Sequence, residues 1–136
     1  MCILRYKMEK NENILLIDTT KKELLVALVG KDKVETRTNN DQRKHSQCLN
    51  DVAKDFISKA SAFAVVTGPG SWTGSRVGVV AVKAWSLATG KPIISLRSGE
   101  NLAELARKKF DSKDFTDIKA LAPFYDSEFK ITKPVI

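Results

Sequence analysis

Short apolar runs and a helical apolar repeat divide this chain. Ile14 to Asp18, Leu24 to Val29 and Lys33 to Thr38 are short runs separated by turn signals at Thr20-Lys-Lys and Gly30-Lys-Asp. That spacing predicts three strands in an antiparallel meander. From Ser46 to Lys59 the period lengthens, and Leu49, Val52, Ala53, Phe56 and Ile57 fall on one stripe of a helix. Phe63 to Val66 reads as a fourth strand. Val77, Val80, Ala81, Ala84, Leu87 and Ala88 then recur at helical spacing until Gly90, where a C-terminal stop signal falls. Ile93 to Leu96 predicts a fifth strand, followed by a helix ending near Phe110. Strands joined through helices pair in parallel, so the expected fold is α/β with a mixed five-stranded sheet in the order βββαβαβα.

Between Thr67 and Gly78 the chain reads Thr-Gly-Pro-Gly-Ser-Trp-Thr-Gly-Ser-Arg-Val-Gly, a loop of small residues feeding into the second helix. Gly68, Pro69 and Gly70 end the preceding strand, and Ser71 and Thr73 suit a helix cap. A glycine loop before a helix leaves backbone N–H groups that suit an anion, which makes Gly68, Gly70, Ser71 and Thr73 candidate phosphate contacts. The P-loop spacing fails, because no Lys-Ser or Lys-Thr follows the glycines. The competing reading is structural: Gly74, Gly78 and Ala81 share a face that lets another backbone approach closely.

As an exact string, Gly-Pro-Gly-Ser-Trp-Thr-Gly-Ser-Arg-Val-Gly resembles the signature of the TsaB (YeaZ) family, with Trp72 where that family usually has Phe. The resemblance extends to Ile-Leu-Leu-Ile-Asp-Thr-Thr from Ile14, to His45-Ser-Gln-x-Leu49 and to Lys91-Pro-Ile-Ile-Ser-Leu. It covers nearly everything from Ile14 to Phe110. It implies a single ribonuclease H-like domain of the actin, Hsp70 and sugar-kinase superfamily over residues 14–110. Residues 1–13 are then a flexible N-terminus, and 111–136 a C-terminal tail packed on the domain or extending from it. TsaB proteins usually keep a second half, so the chain reads as a shortened member. Pro123-Phe-Tyr125 resembles the family's C-terminal Pro-x-Tyr, which suggests an internal shortening.

Composition narrows the function classes. No apolar run reaches the roughly 20 residues of a membrane helix, and charges interrupt the first eight residues before any signal-peptide core forms, so a cytoplasmic location is expected. Cys2 and Cys48 make neither a disulfide framework nor a metal spacing. The net charge of +7 permits attraction to RNA, but its lysines and arginines are dispersed among acids without interleaved aromatics.

Asp18 ends the first strand beside Thr19 and Thr20, where the superfamily's kinases hold Mg²⁺ and phosphate; the alternative is a turn-forming Asp that bonds its own backbone. His45 is the only histidine, so the chain cannot assemble a histidine pair for a metal, and its expected role is a helix cap or a partner contact. No spacing brings Ser71, Ser75 or Cys48 to that histidine, and Asp18 has no acidic companion in its motif, so neither nucleophilic nor paired-carboxylate catalysis is expected.

The resemblance therefore implies a non-catalytic scaffold subunit for making threonylcarbamoyladenosine at position 37 of tRNA. It would form a heterodimer with TsaD, with TsaE in the larger complex, tRNA reached through the complex and a homodimer as competitor. In that family the two N-terminal helices build the interface, which nominates His45, Leu49, Val52 and Phe56 on the first helix. On the second it nominates Arg76, Val77, Val80 and Ala84. No cofactor is expected, and ATP or ADP with Mg²⁺ only at a partner interface. The alternative function is a small ATP-binding or hydrolysing enzyme using Asp18, Thr19 and the loop Gly68 to Gly74.

Overall fold

Residues 12–21, 23–39, 45–69 and 72–123 are described by the computed structural model. They contain β1 (Asn13–Asp18), β2 (Leu24–Val29), β3 (Val34–Asn39), α1 (His45–Ile57), β4 (Ala60–Gly68), α2 (Trp72–Thr89), β5 (Ile93–Arg97) and α3 (Leu102–Asp111). The strands form one sheet in the order β3-β2-β1-β4-β5. β1, β2 and β3 pair antiparallel, whereas β1 with β4 and β4 with β5 pair parallel. This is the expected α/β architecture, a meander continued by strands that return through helices.

Each central strand buries both of its faces. Leu15, Ile17, Phe63 and Val65 point to one side, into a core with Leu49, Ala53 and Phe56 of α1 and Val79, Val82 and Trp85 of α2. Ile14, Leu16, Ala62, Ala64 and Val66 point to the other, against Ala106 of α3. Small residues on β4 meeting a small residue on α3 let that layer approach closely, while the larger side chains fill the two-helix side. β4 runs beyond the apolar stretch Phe63 to Val66 because its ends find partners: Ala60 pairs with Asn13, and Gly68 with Arg97.

β3 carries almost no buried side chain and is held to α1 by Arg37. Its guanidinium lies 4.1 Å above the centre of the Phe56 ring, donates to the Val52 carbonyl at 2.8 Å and stands 3.6 Å from Asp55. After α3 the chain returns around β5. Thr116 bridges Ile93 antiparallel, its hydroxyl bonds that of Ser95 at 2.9 Å, and Leu121 is buried in the α1–α2 core.

The apolar repeat of the second helix is split: Val77 and Ala81 pack against the core, and the rest of it faces outward. Val79, Val82 and Trp85 are the buried positions, whereas Val80 is 64% and Leu87 75% exposed, with Ala84 and Ala88 also exposed. α2 is apolar on nearly every side, so several stripes fit the helical period equally well. Gly90, at φ +77°, closes the helix by donating to the Ser86 carbonyl at 2.7 Å, as its place in the sequence predicts.

Candidate functional site

Two places collect the residues nominated by the sequence. The first is the sheet end where β1 and β4 finish. Asp18 is buried there, and its Oδ1 accepts from the Thr20 amide at 2.9 Å and the Thr20 hydroxyl at 2.6 Å. That is the turn-forming arrangement, in which a short carboxylate replaces a backbone acceptor. Thr19 Oγ1 accepts the Gly78 amide at 3.0 Å, tying the end of β1 to α2. Thr67 donates its hydroxyl to the Leu96 carbonyl at 3.2 Å. Gly68 adopts φ +126° before a cis bond to Pro69, and Ser98 ties that loop with its amide on Gly68 O and its hydroxyl on Pro69 O.

Asp18, Thr19 and Gly68 therefore come to one end of the sheet, whereas Gly70 and Ser71 lie outside the described residues, as do the side chains of His45 and Thr73. One oxygen of the Asp18 carboxylate carries two hydrogen bonds, both from Thr20, and Thr19 is tied to α2. Among the described residues no three His, Cys, Asp or Glu side chains group so as to hold a metal ion.

Gly78 is the point of closest approach. A Cβ there would lie 2.8 Å from Thr19 Oγ1 and 3.2 Å from Val65 Cγ2, so the structural reading of this glycine is the one the packing supports. Gly78→Ala is expected to destabilise the fold by ~1–3 kcal/mol, since overpacking displaces α2 from the sheet. Urea titration measures it; a midpoint equal to wild type would show that α2 sits further from β1 than described.

The second place is the outer side of the helix pair. α1 and α2 are joined across their seam by Trp85 Nε1, which donates to Asn50 Oδ1 at 3.2 Å. An open groove of ≈ 440 Å³ follows that seam, lined by Leu49, Val77, Val80, Ala84 and Trp85, with Asn50 and Arg76 as polar members. The nominated interface residues divide here. Arg76, Val80 and Ala84 are exposed and Val77 is half-buried. Phe56 and Leu49 are buried in the core, because α1 turns the stripe containing them onto the sheet, and Leu49 also reaches the groove wall. Val52 is partly buried against the same core. Asn50 and Trp85 were not nominated; the one usable signal is an indole N–H on a helix, which needs an acceptor close by.

A family model described as TsaD: tRNA N6-adenosine threonylcarbamoyltransferase matches residues 34–116, more than half of the 136-residue chain. Among solved structures, an uncharacterized protein with similarity to peptidase YEAZ from Pseudomonas aeruginosa superposes with a TM-score of 0.60 at 24% identity, covering 76% of this chain and 50% of that one. YeaZ from Pseudomonas aeruginosa gives a TM-score of 0.59 at 24% identity, covering 76% and 52%. The chain thus spans about half the length of these structures, which share its fold. No curated protein matches it.

Proposed function

The chain belongs to the family described as TsaD: tRNA N6-adenosine threonylcarbamoyltransferase, and from that premise we propose that it is a non-catalytic scaffold subunit of a TsaD-containing complex that makes threonylcarbamoyladenosine on tRNA. One observation carries this reading: α2 is apolar on its solvent side as well as on its core side. Val80 and Leu87 head a stripe that no element among the described residues covers. A helix apolar all round is ordinarily buried on all sides, so this stripe calls for a partner.

The partner is a TsaD subunit, TsaE joins the larger assembly, and tRNA is engaged through the complex. A second copy of the chain competes for the same face when the partner is absent. ATP or ADP with Mg²⁺, where it binds, belongs to the partner interface, because Asp18 and Thr19 are spent on internal hydrogen bonds. The lone histidine supports a subunit that positions chemistry performed elsewhere.

Co-expression of the tagged chain with an untagged TsaD from the same cells tests the reading. Co-purification of a complex whose light-scattering mass is the sum of the two chains is the expected result. Elution of the chain alone, as monomer or homodimer, would refute it.

A further inference from the structure

We propose that the outer edge of β3 pairs antiparallel with β3 of a second copy of this chain, in the register that sets Thr36 opposite Thr36; this surface is separate from the α2 face of the scaffold function and does not rest on it. The two edges of the sheet differ. On β5 Thr116 bridges Ile93, whereas β3 is bonded to β2 alone among the described residues. The Gly30 amide donates to the Lys33 carbonyl at 2.8 Å, and that pair continues the β2–β3 register, in which Val29 meets Val34. Hydrogen-bonded pairs with β2 therefore fall at Lys33, Glu35 and Arg37, and the backbone N–H and C=O groups of Val34, Thr36 and Thr38 point away from the sheet. Such a row is a template for another strand.

The side chains of β3 select the occupant. Glu35 and Arg37 share the α1 side of the strand, where the Arg37 guanidinium sits on Phe56, and Val34, Thr36 and Thr38 take the other side, all three exposed and β-branched. With a two-fold axis at Thr36, each Glu35 stands opposite the Arg37 of the other copy, at the ~4.5 Å Cα spacing of a non-hydrogen-bonded pair. Arg37 does not leave its seat for this. Its Nη1 keeps the Val52 carbonyl, and its Nη2 already has the Glu35 carboxylate of its own chain at 3.9 Å, on the side where the second carboxylate arrives. On the opposite side Val34 meets Thr38, and Thr36 meets its own copy.

Other registers fit less well. An axis at Glu35 or at Arg37 sets like charges directly opposite, and a shift of two residues shortens the overlap. The register at Thr36 engages the outward groups of Val34, Thr36 and Thr38 on both chains, about six backbone hydrogen bonds. α2 packs over β1, β4 and β5, so its outer side stays uncovered in this pair. The contact is small and polar, in the class of weak encounters, and a Kd on the order of 100 µM is expected.

Sedimentation equilibrium of the full chain over a concentration series spanning that value tests the pairing, in the Val80→Asp background so that self-association through α2 does not contribute. A reversible monomer–dimer equilibrium is expected. Adding Thr36→Pro removes one outward N–H from each chain and no bond to β2, so the dimer should weaken more than tenfold while circular dichroism stays unchanged. Adding Glu35→Arg instead, at a side chain 62% exposed, sets like charges opposite one another twice and should weaken the dimer about tenfold, by less as salt rises. A monomer at every concentration would overturn the proposal, as would a dimer that either substitution leaves unchanged. Neither result bears on the scaffold function, which co-purification with TsaD decides.

Discussion

Phe56→Asp will not yield a folded protein. Phe56 is fully buried, packs in the core that α1 and α2 share with the sheet, and carries the Arg37 guanidinium on its ring. Truncating a buried Phe costs ~3–5 kcal/mol, and a carboxylate in that cavity adds desolvation that the peripheral Arg37 cannot repay. Together these consume most of the ~5–15 kcal/mol by which a domain is stable. Loss of the cooperative thermal transition and of helical ellipticity is the expected reading. A folded variant with a near-wild-type melting temperature would return Phe56 to the surface and undo the assignment of the α1 stripe to the core.

Val80→Asp, one helix away, will leave the fold intact and abolish partner association. With 64% of Val80 exposed, little is lost in the isolated chain, and its melting temperature is expected to remain within experimental scatter of wild type. At the centre of an interface the same change buries an unpaired carboxylate and removes an apolar anchor. That loss is worth ~2–4 kcal/mol, or about 30- to 1,000-fold in Kd. Titration of TsaD into each chain by calorimetry, beside matched melting curves, measures both halves. Wild-type affinity in the variant would remove α2 from the interface.

These two substitutions also mark where sequence patterning succeeds and where it stops. Ile14 to Asp18 and Leu24 to Val29 place strands correctly because each is a short apolar run closed by turn residues, and the stripe of Leu49, Ala53 and Phe56 places a helix because the rest of α1 is polar and makes it stand out. α2 has no such contrast, so the repeat through Val80, Ala84 and Leu87, which faces solvent, cannot be told from a core stripe by its period. What orients this helix is Gly78 against Thr19 and Trp85 beside Asn50, contacts between residues far apart in the chain. Arg37 is illegible for a related reason. In a polar edge strand it looks like any solvated charge, and its aromatic and carbonyl partners lie on α1. The Asp18 cluster was legible as a location but not as chemistry, since whether a carboxylate serves a metal or its own turn depends on a torsion that composition does not encode.

The return of the chain around β5 bears on how the molecule comes apart. Phe115 packs on Phe110 of α3 at a ring separation of 6.0 Å, Thr116 is bonded to Ile93, and five residues later Leu121 enters the core on the opposite face. The α3 layer is thereby belted to the two-helix layer. Peeling α3 from the sheet pulls on Leu121, so opening one side exposes the other, and α3 cannot fray as a private event. Amide exchange in this ten-residue helix should therefore track the sheet, one cooperative unit in place of two.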